Sequence, residues 1–521
     1  MNMPVRLTLL TLGTFRTGAL LSLVALAAFA TVSSAAATTN HILGQFRNAT
    51  ASPWPLVPLH AVLNHNGTLL TYGSNAAGKQ TGLFIYDVWD WRDGLAGPHY
   101  TLQNRTEVDS FCSGQIIDPN SGNVVLLGGD IWDGSKVLHK GNKNQLIFDP
   151  ATNELTRHPG DMWRPRWYAT ATTLPDGRIY VQGGLGGKDY PELRHADGTF
   201  TLLTSVPTSG YSYYYPRNYV DTRGRVFGYT DLKMYSIDFA VSPPRLTALA
   251  SLASAGPSGI SSSEAMYEPG KILRMGGGAM NTSSTVAGKT TWAVIDIRGT
   301  KPVVQQSSSA NRMPVGLHWH NATVIADGRV VVTGGSRQSN KLSGVNYRAL
   351  IWTPTPNTRT GTWTTGAATT SNKARLYHST AVLLPDASVL VAGGGAGGPQ
   401  NNLNAEIYDP PYLFDESGEL APRPRIVDAP SIVQIGSSFD VGIESAEPVA
   451  RVTLVKTGSV THSFNMDQRF MRLSFTQSGT KLTVKAPTSR NVATPGRYLL
   501  FVLDAKGVPS IAKIVAVPVA S

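Results

Sequence analysis

Residues 166–184 read RWYATATTLPDGRIYVQGG, and this stretch decides the fold. An alternating run climbs to Leu174, Pro175-Asp176-Gly177 turns the chain, and a second apolar run ends in Gly183-Gly184. Asp-Gly supplies the positive φ that a tight hairpin turn needs. The same unit recurs with its turn at Gly67, Gly122, Gly224, Gly270 and Gly328, and with alanine in the turn at Ala387. Successive turns lie 46 to 59 residues apart. Several units are followed by a further strand, as in LIFDPATNEL (146–155), ALIWTPTPN (349–357) and AEIYDPPYL (405–413).

That period, with about four strands per repeat, is the pattern of a kelch-type propeller. Radial repetition protects the sheet edges that an all-β chain would otherwise expose. The expectation is an all-β chain with a seven-bladed kelch-type β-propeller over residues 38–415. A sandwich alone would not carry seven turn-marked units in register. Pro410-Pro411 and Ala421–Pro424 read as a linker. Beyond it, ARVTLVKTG, RFMRLSF, KLTVKAP and RYLLFVLDA alternate without the repeat turn. They predict a C-terminal immunoglobulin-like β-sandwich at 424–521.

Composition narrows the class. Of 521 residues, 41 % are hydrophobic and 15 % charged, with 52 Gly and 33 Pro, which excludes a coiled coil and argues against disorder. The net charge is +11, but Lys and Arg are scattered, so no nucleic-acid footprint is expected. A single cysteine, Cys112, rules out an intramolecular disulfide. Arg6 and Arg16 precede an uncharged stretch, Thr17–Thr39, with an apolar centre at Ala19–Ala30 and small residues at Ala35–Ala37. Residues 1–37 therefore read as a signal peptide or an N-terminal membrane anchor, with cleavage favoured by the weakly apolar end. The expected location is extracytoplasmic: secreted, periplasmic or at the cell surface.

In a propeller, equivalent positions of the innermost strands meet at one end of the axis. Ten residues before each turn stand Val57, Cys112, Trp167, Tyr214, Ile260, His318 and Tyr377. Nine before stand Pro58, Ser113, Tyr168, Tyr215, Ser261, Trp319 and His378. The sole cysteine, several tyrosines, two histidines and a tryptophan thus share two columns. Imidazole and phenolate donors in a tetragonal arrangement suit Cu(II). Zinc would more often bring a carboxylate or thiolates. A cysteine beside a tyrosine at such a centre is a candidate for an oxidative thioether cross-link. The Gly-Gly pairs follow hairpins and open no helix, so they are not nucleotide loops.

These residues resemble the copper radical oxidases, the galactose oxidase and glyoxal oxidase family, and most closely its bacterial glyoxal-oxidase-like members. The resemblance spans nearly all of the chain after the leader. It is strongest in DSFCSGQ (109–115), in 166–184, in ARLYHSTAVLLPDASVLVAGGG (374–395) and in VTHSFNMDQRFMRL (460–473). It implies one copper ion held by Tyr168, Tyr377, His378 and His462, the last from a C-terminal loop reaching into the channel. It implies a Cys112-Tyr168 thioether as a protein-derived radical cofactor, with Tyr377 taking the substrate proton. It also implies a tryptophan over the cross-linked ring; Trp319 stands in the column for that role, with Trp167 and Trp292 as further candidates. Asn465, Asp467, Gln468 and Arg469 read as scaffolding of the loop.

The implied reaction is a two-electron oxidation of a primary alcohol or aldehyde, with O2 reduced to H2O2. The resemblance leans toward small aldehydes such as glycolaldehyde. A cell-surface glycan is a further candidate partner. The rival expectation is a non-catalytic kelch propeller that binds glycan or protein through its face, since fold does not fix function.

Overall fold

The computed structural model describes residues 39–279 and 286–520. The N-terminal leader expected at 1–37 lies outside them. Among the described residues no helix is long and apolar enough to cross a membrane.

The repeat turns take the backbone conformation their residues imply. Gly67, Gly122, Gly177, Gly224, Gly270 and Gly328 have φ between 75° and 91°, and Ala387 stands at 68°. Left-handed backbone costs an L-residue about 1–2 kcal/mol through its Cβ, and glycine escapes that cost. Each turn closes a hairpin whose strands lead on to two more. In the central case Trp167–Thr173 pairs with Ile179–Leu185, which pairs with Glu192–Arg194, which pairs with Phe200–Leu202, all antiparallel.

Seven sheets among the described residues contain such a repeat hairpin, and all but one have four strands. Their first strands are His60–Leu63, Gly114–Ile117, Trp167–Thr173, Arg217–Val220, Ser262–Glu268, His318–Val324 and Ser379–Leu383. First strands of several successive sheets pack together, as Gly114–Ile117 does with Trp167–Thr173 and His318–Val324 with Ser379–Leu383. The last also packs against the first, His60–Leu63. The last sheet takes its outer strand, Gln45–Pro53, from the beginning of the described chain. Arg47 fastens it there through Asp409 at 2.7 Å and Asp386 at 3.0 Å. This nearly all-β architecture of four-stranded antiparallel sheets is consistent with a propeller.

Two further four-stranded sheets come from the C-terminal part. One holds Arg425–Asp428, Ser438–Glu444, Lys481–Lys485 and Phe475–Ser478. The other holds Phe470–Leu473, Val449–Lys456, Gly496–Asp504 and Lys513–Val517. Val441, Leu454, Leu482, Val484, Leu500 and Val502 fill a common core. Between these strands the chain leaves on a hairpin, Ser459–Thr461 and Phe464–Asn465. It adds itself to the inner edge of the first sheet, pairing His60 with Thr461 and Val62 with Ser459. The residues that follow brace it: Asn465 Oδ1 accepts from Ser459 N, Asp467 pairs with buried Lys456, and Gln468 bonds both backbone groups of Val324.

Two arginines stand two residues ahead of site tyrosines and are fully buried. Arg166 donates to Glu192 and to the carbonyls of Gly183, Gly187 and Tyr190. Arg375 donates to Glu406 and to the carbonyls of Gly393 and Asn404. Each guanidinium ties the beginning of a first strand to the end of the second strand and to the next strand outward.

Removing one carboxylate would strand a charge in the interior. Glu192→Ala and Glu406→Ala are each expected to destabilise the protein by about 3–5 kcal/mol. The check is the urea unfolding midpoint. Glu444→Ala, which breaks the exposed pair with Arg425, is expected to leave that midpoint unchanged.

Candidate metal centre

The side chains that meet here come from four of the sheets and from the hairpin. Cys112 precedes Gly114–Ile117, Tyr168 lies in Trp167–Thr173, Tyr214 precedes Arg217–Val220, and Tyr377 and His378 precede Ser379–Leu383. His462 forms the hairpin tip with Ser463, both left-handed at φ 50° and 61°. Two positive-φ residues in a two-residue hairpin loop make a type I′ turn.

Left-handed backbone recurs where the other residues start their strands: Cys112 at 56°, Tyr168 at 73°, Tyr215 at 37°, Trp319 at 57° and His378 at 69°. In a regular strand consecutive side chains face opposite ways. A left-handed residue breaks that alternation and brings neighbours in sequence together. Trp167 and Tyr168 have ring centroids 4.2 Å apart, and Tyr377 and His378 3.7 Å. Backbone bonds join these strand starts around the centre, Tyr168 N to Cys112 O and Tyr215 N to Tyr168 O, both 2.9 Å.

Cys112 Sγ lies 3.3 Å from His462 Nε2 and 4.0 Å from His378 Nε2. The candidate ligand atoms of these three buried residues all fall within 4.8 Å of one another. The Tyr168 hydroxyl faces the same thiol. Tyr377 Oη is 3.4 Å from Tyr168 Oη and 3.2 Å from Tyr214 Oη. All three tyrosines are partly exposed, so the centre opens to solvent on the phenol side.

Each imidazole has its tautomer set. His378 Nδ1 donates to Gly395 O at 2.7 Å, which leaves Nε2 as a lone pair facing the thiol. Thr461 Oγ1 donates to Leu59 O, so it accepts from His462 Nδ1 at 2.5 Å and frees that Nε2 too. Burial pushes His378 down to about 3 and His462 well below the ordinary imidazole range. Both are neutral at pH 7, the form that ligates a metal. Burial, and next the nearby thiol, raise Tyr168 and Tyr377 above the ordinary phenol range. A bound cation would reverse that by favouring phenolate. Two neutral nitrogens and two phenol oxygens around one point fit Cu(II).

The structure thus brings together Cys112, Tyr168, Tyr377, His378 and His462. Trp319 faces a different ring. Its ring meets Tyr377 at 4.6 Å and 64°, with Nε1 donating to Ser339 Oγ. The indole against Tyr168 is Trp167, tilted at 4.2 Å and 33°, because left-handed Tyr168 turns back onto its own predecessor. Tyr214 also lies against Tyr168, tilted at 4.6 Å and 32°. Its place in the aligned column marked it, but nothing in the sequence disclosed its bond to Tyr377. His318 is engaged elsewhere, by Ser261 Oγ and the Val286 carbonyl.

Comparison with known proteins agrees with this geometry. The family model for the glyoxal oxidase N-terminus matches residues 101–408, and that for the galactose oxidase-like early set domain matches 423–517. Galactose oxidase of Gibberella zeae is 27 % identical over 496 residues, covering 89 % of this chain and 69 % of that protein. Aldehyde oxidase GLOX of Vitis pseudoreticulata is 27 % identical over 444 residues, covering 78 % and 81 %. A solved fungal alcohol oxidase of the AA5 family, in complex with copper, superposes with a TM-score of 0.79. It covers 91 % of this chain and all of its own at 23 % identity, and so shows a shared fold. The expected nearness to bacterial members finds no support in these relatives.

His378→Ala and His462→Ala are each expected to abolish tight Cu(II) binding in a competition titration against a chelator. His318→Ala, with both nitrogens committed elsewhere, is expected to leave the titration unchanged.

Proposed function

The chain belongs to the glyoxal oxidase family, and from that premise we propose that it is a copper radical oxidase coupling oxidation of a primary alcohol or aldehyde to reduction of O2 to H2O2. One observation carries the reading: Cys112, Tyr168, Tyr377, His378 and His462, scattered over 351 positions of the chain, converge on one point. In this reading Tyr168, Tyr377, His378 and His462 hold one copper ion, and Cys112 is joined to Tyr168 by a thioether. When bound, the copper supplies a one-electron redox couple and a Lewis-acidic position for the substrate oxygen.

The residues then divide the work. The open phenol side admits the substrate. Tyr377 Oη takes the hydroxyl proton, and its closeness to Tyr168 Oη keeps the two acceptors side by side. Tyr168, made easier to oxidise by its sulfur substituent, would take the hydrogen atom from the carbon in its one-electron-oxidised form, the tyrosyl radical, and return to the phenol. Two electrons and two protons leave the substrate, and O2 carries them off as H2O2. Trp167 and Tyr214 stack on the Tyr168 ring and limit access of water and reductants to it.

The architectural part of the proposal is a seven-bladed kelch-type propeller at 38–415 and an immunoglobulin-like domain at 424–521. The packing among first strands, the last against the first included, and the two C-terminal sheets sharing one core support it. An N-terminal leader at 1–37, an extracytoplasmic location and small aldehydes as substrates complete the reading. A cell-surface glycan partner has no feature here that favours it. Neither is a non-catalytic propeller favoured, since a binding face has no need of buried, tautomer-fixed imidazoles beside a lone thiol.

The test is a panel of alcohols and aldehydes with peroxide readout on copper-loaded protein. Mature protein is expected to be lighter than its sequence mass by a pair of hydrogens. Cys112→Ala is expected to retain copper and lose most of its oxidase activity. An unshifted wild-type mass, or a fully active Cys112→Ala protein, would refute the cross-link.

A further inference from the structure

His462 is delivered to the centre by a hairpin with only five strand residues, and what holds the hairpin decides where its imidazole stands. One side chain of the second sheet bridges to it. Gln115, wholly buried, follows Cys112 by three positions on Gly114–Ile117. Its Nε2 donates to Val460 O at 2.9 Å, and its own carbonyl accepts from Ser459 Oγ at 3.0 Å. Both partners belong to the strand that ends one residue before His462.

The other end of the amide is fixed just as firmly. Gln115 Oε1 accepts from Tyr72 Oη at 2.7 Å and from His60 Nδ1. Tyr72 Oη also bonds Ser113 Oγ at 3.0 Å. The His60 and Tyr72 rings stack at 4.3 Å with parallel planes. The amide therefore cannot rotate without losing two donors on one side and one acceptor on the other. His60 lies on the strand to which the hairpin pairs, so the bridge closes a triangle between the first sheet, the second sheet and the hairpin.

We propose that Gln115 is a positioning residue for His462: by bridging the stacked His60–Tyr72 pair to Val460 O, it sets the register in which the hairpin presents His462 Nε2 to the metal. This rests on the copper-centre reading above and adds to it a residue that touches neither metal nor substrate. Second-layer partners of metal ligands typically govern metal affinity by about 10–100-fold.

The test uses Gln115→Met, which keeps side-chain length and removes the polar bonds. Gln115→Glu, which keeps an acceptor for Tyr72 and His60 but loses the donor to Val460, carries the same test if the Met variant does not fold. The control is Gln182→Leu. Gln182 is an equally buried amide in a comparable knot with Tyr180, Tyr235 and Asn218, with no link to the hairpin. Copper-free protein is titrated with Cu(II) against a chelator, the Cu(II) EPR spectrum is recorded, and thermal unfolding is followed without metal.

The Gln115 variant is expected to bind Cu(II) about 10–100-fold more weakly, with an altered hyperfine pattern. Gln182→Leu is expected to lose thermal stability to a similar degree while its Cu(II) affinity and spectrum stay as in the wild type. A folded Gln115 variant with wild-type affinity and spectrum overturns the proposal, as does an equal loss of affinity in Gln182→Leu. His462→Ala separates the two layers of argument. If it binds Cu(II) as tightly as wild type, the copper-centre reading fails. If it loses Cu(II) while Gln115→Met does not, only the role of Gln115 fails.

Discussion

A strand that alternates its side chains can aim only one of two consecutive residues at a given point, and this centre depends on lifting that limit. Left-handed residues at the starts of the first strands do so. Tyr168 folds back onto Trp167, and His378 brings its ring against Tyr377. Two adjacent columns of the repeat thereby serve one site: one supplies Cys112 and Tyr377, the other Tyr168 and His378. Regular strands would have shared these residues between the mouth and the sheet interior.

Such backbone is costly, of the order of about 1–3 kcal/mol for each residue held in a sparsely populated region. It persists only where the surroundings over-determine it. Around Tyr168 the backbone is bonded on both sides, to Cys112 O and from Tyr215 N. Two residues upstream, Arg166 is locked by a carboxylate and three carbonyls. The Arg375 cluster supports Tyr377 and His378 in the same way. The centre meets a second cost in electrostatics, because its phenols are pushed away from ionisation and no carboxylate stands among its candidate ligands. A site that disfavours phenolate when empty is one in which a divalent cation changes the charge state most. Its donors are also pre-set, since His378 and His462 each spend Nδ1 on a fixed oxygen.

Much of this was legible in the sequence because a repeat carries its own ruler. Counting back from Gly177 and Ala387 reaches Tyr168 and His378, and the positive φ that Asp-Gly implies at Gly177 is kept at Ala387, where alanine stands in the same turn. His462 was different. Its hairpin has no Asn-Gly or Asp-Gly signal, and its register belongs to no repeat, so only resemblance to a known family singled it out. Column membership says which mouth a residue faces and not which ring it meets, so it did not separate Trp319 from Trp167 as the neighbour of Tyr168. Trp167 meets Tyr168 through a local backbone reversal that no spacing rule describes. Gln115 was invisible: an ordinary glutamine in a first strand becomes informative only when its amide is seen between Tyr72, His60 and Val460.

The division of ligands between two parts of the chain has a thermodynamic consequence. Three of the four proposed ligands come from the repeat sheets and the fourth from a hairpin rooted in the C-terminal strands. Anything that binds only the assembled arrangement stabilises it by mass action. A metal gripped from both sides must therefore favour the docked hairpin by as much as the docked hairpin favours the metal, since linkage between two equilibria is reciprocal. The seam along His60–Leu63, with its backbone pairs to Ser459–Thr461 and the Gln115 bridge beside them, is the physical link through which that coupling passes. On this argument the inner edge of the first sheet is part of the metal centre, although none of its own residues is a proposed ligand.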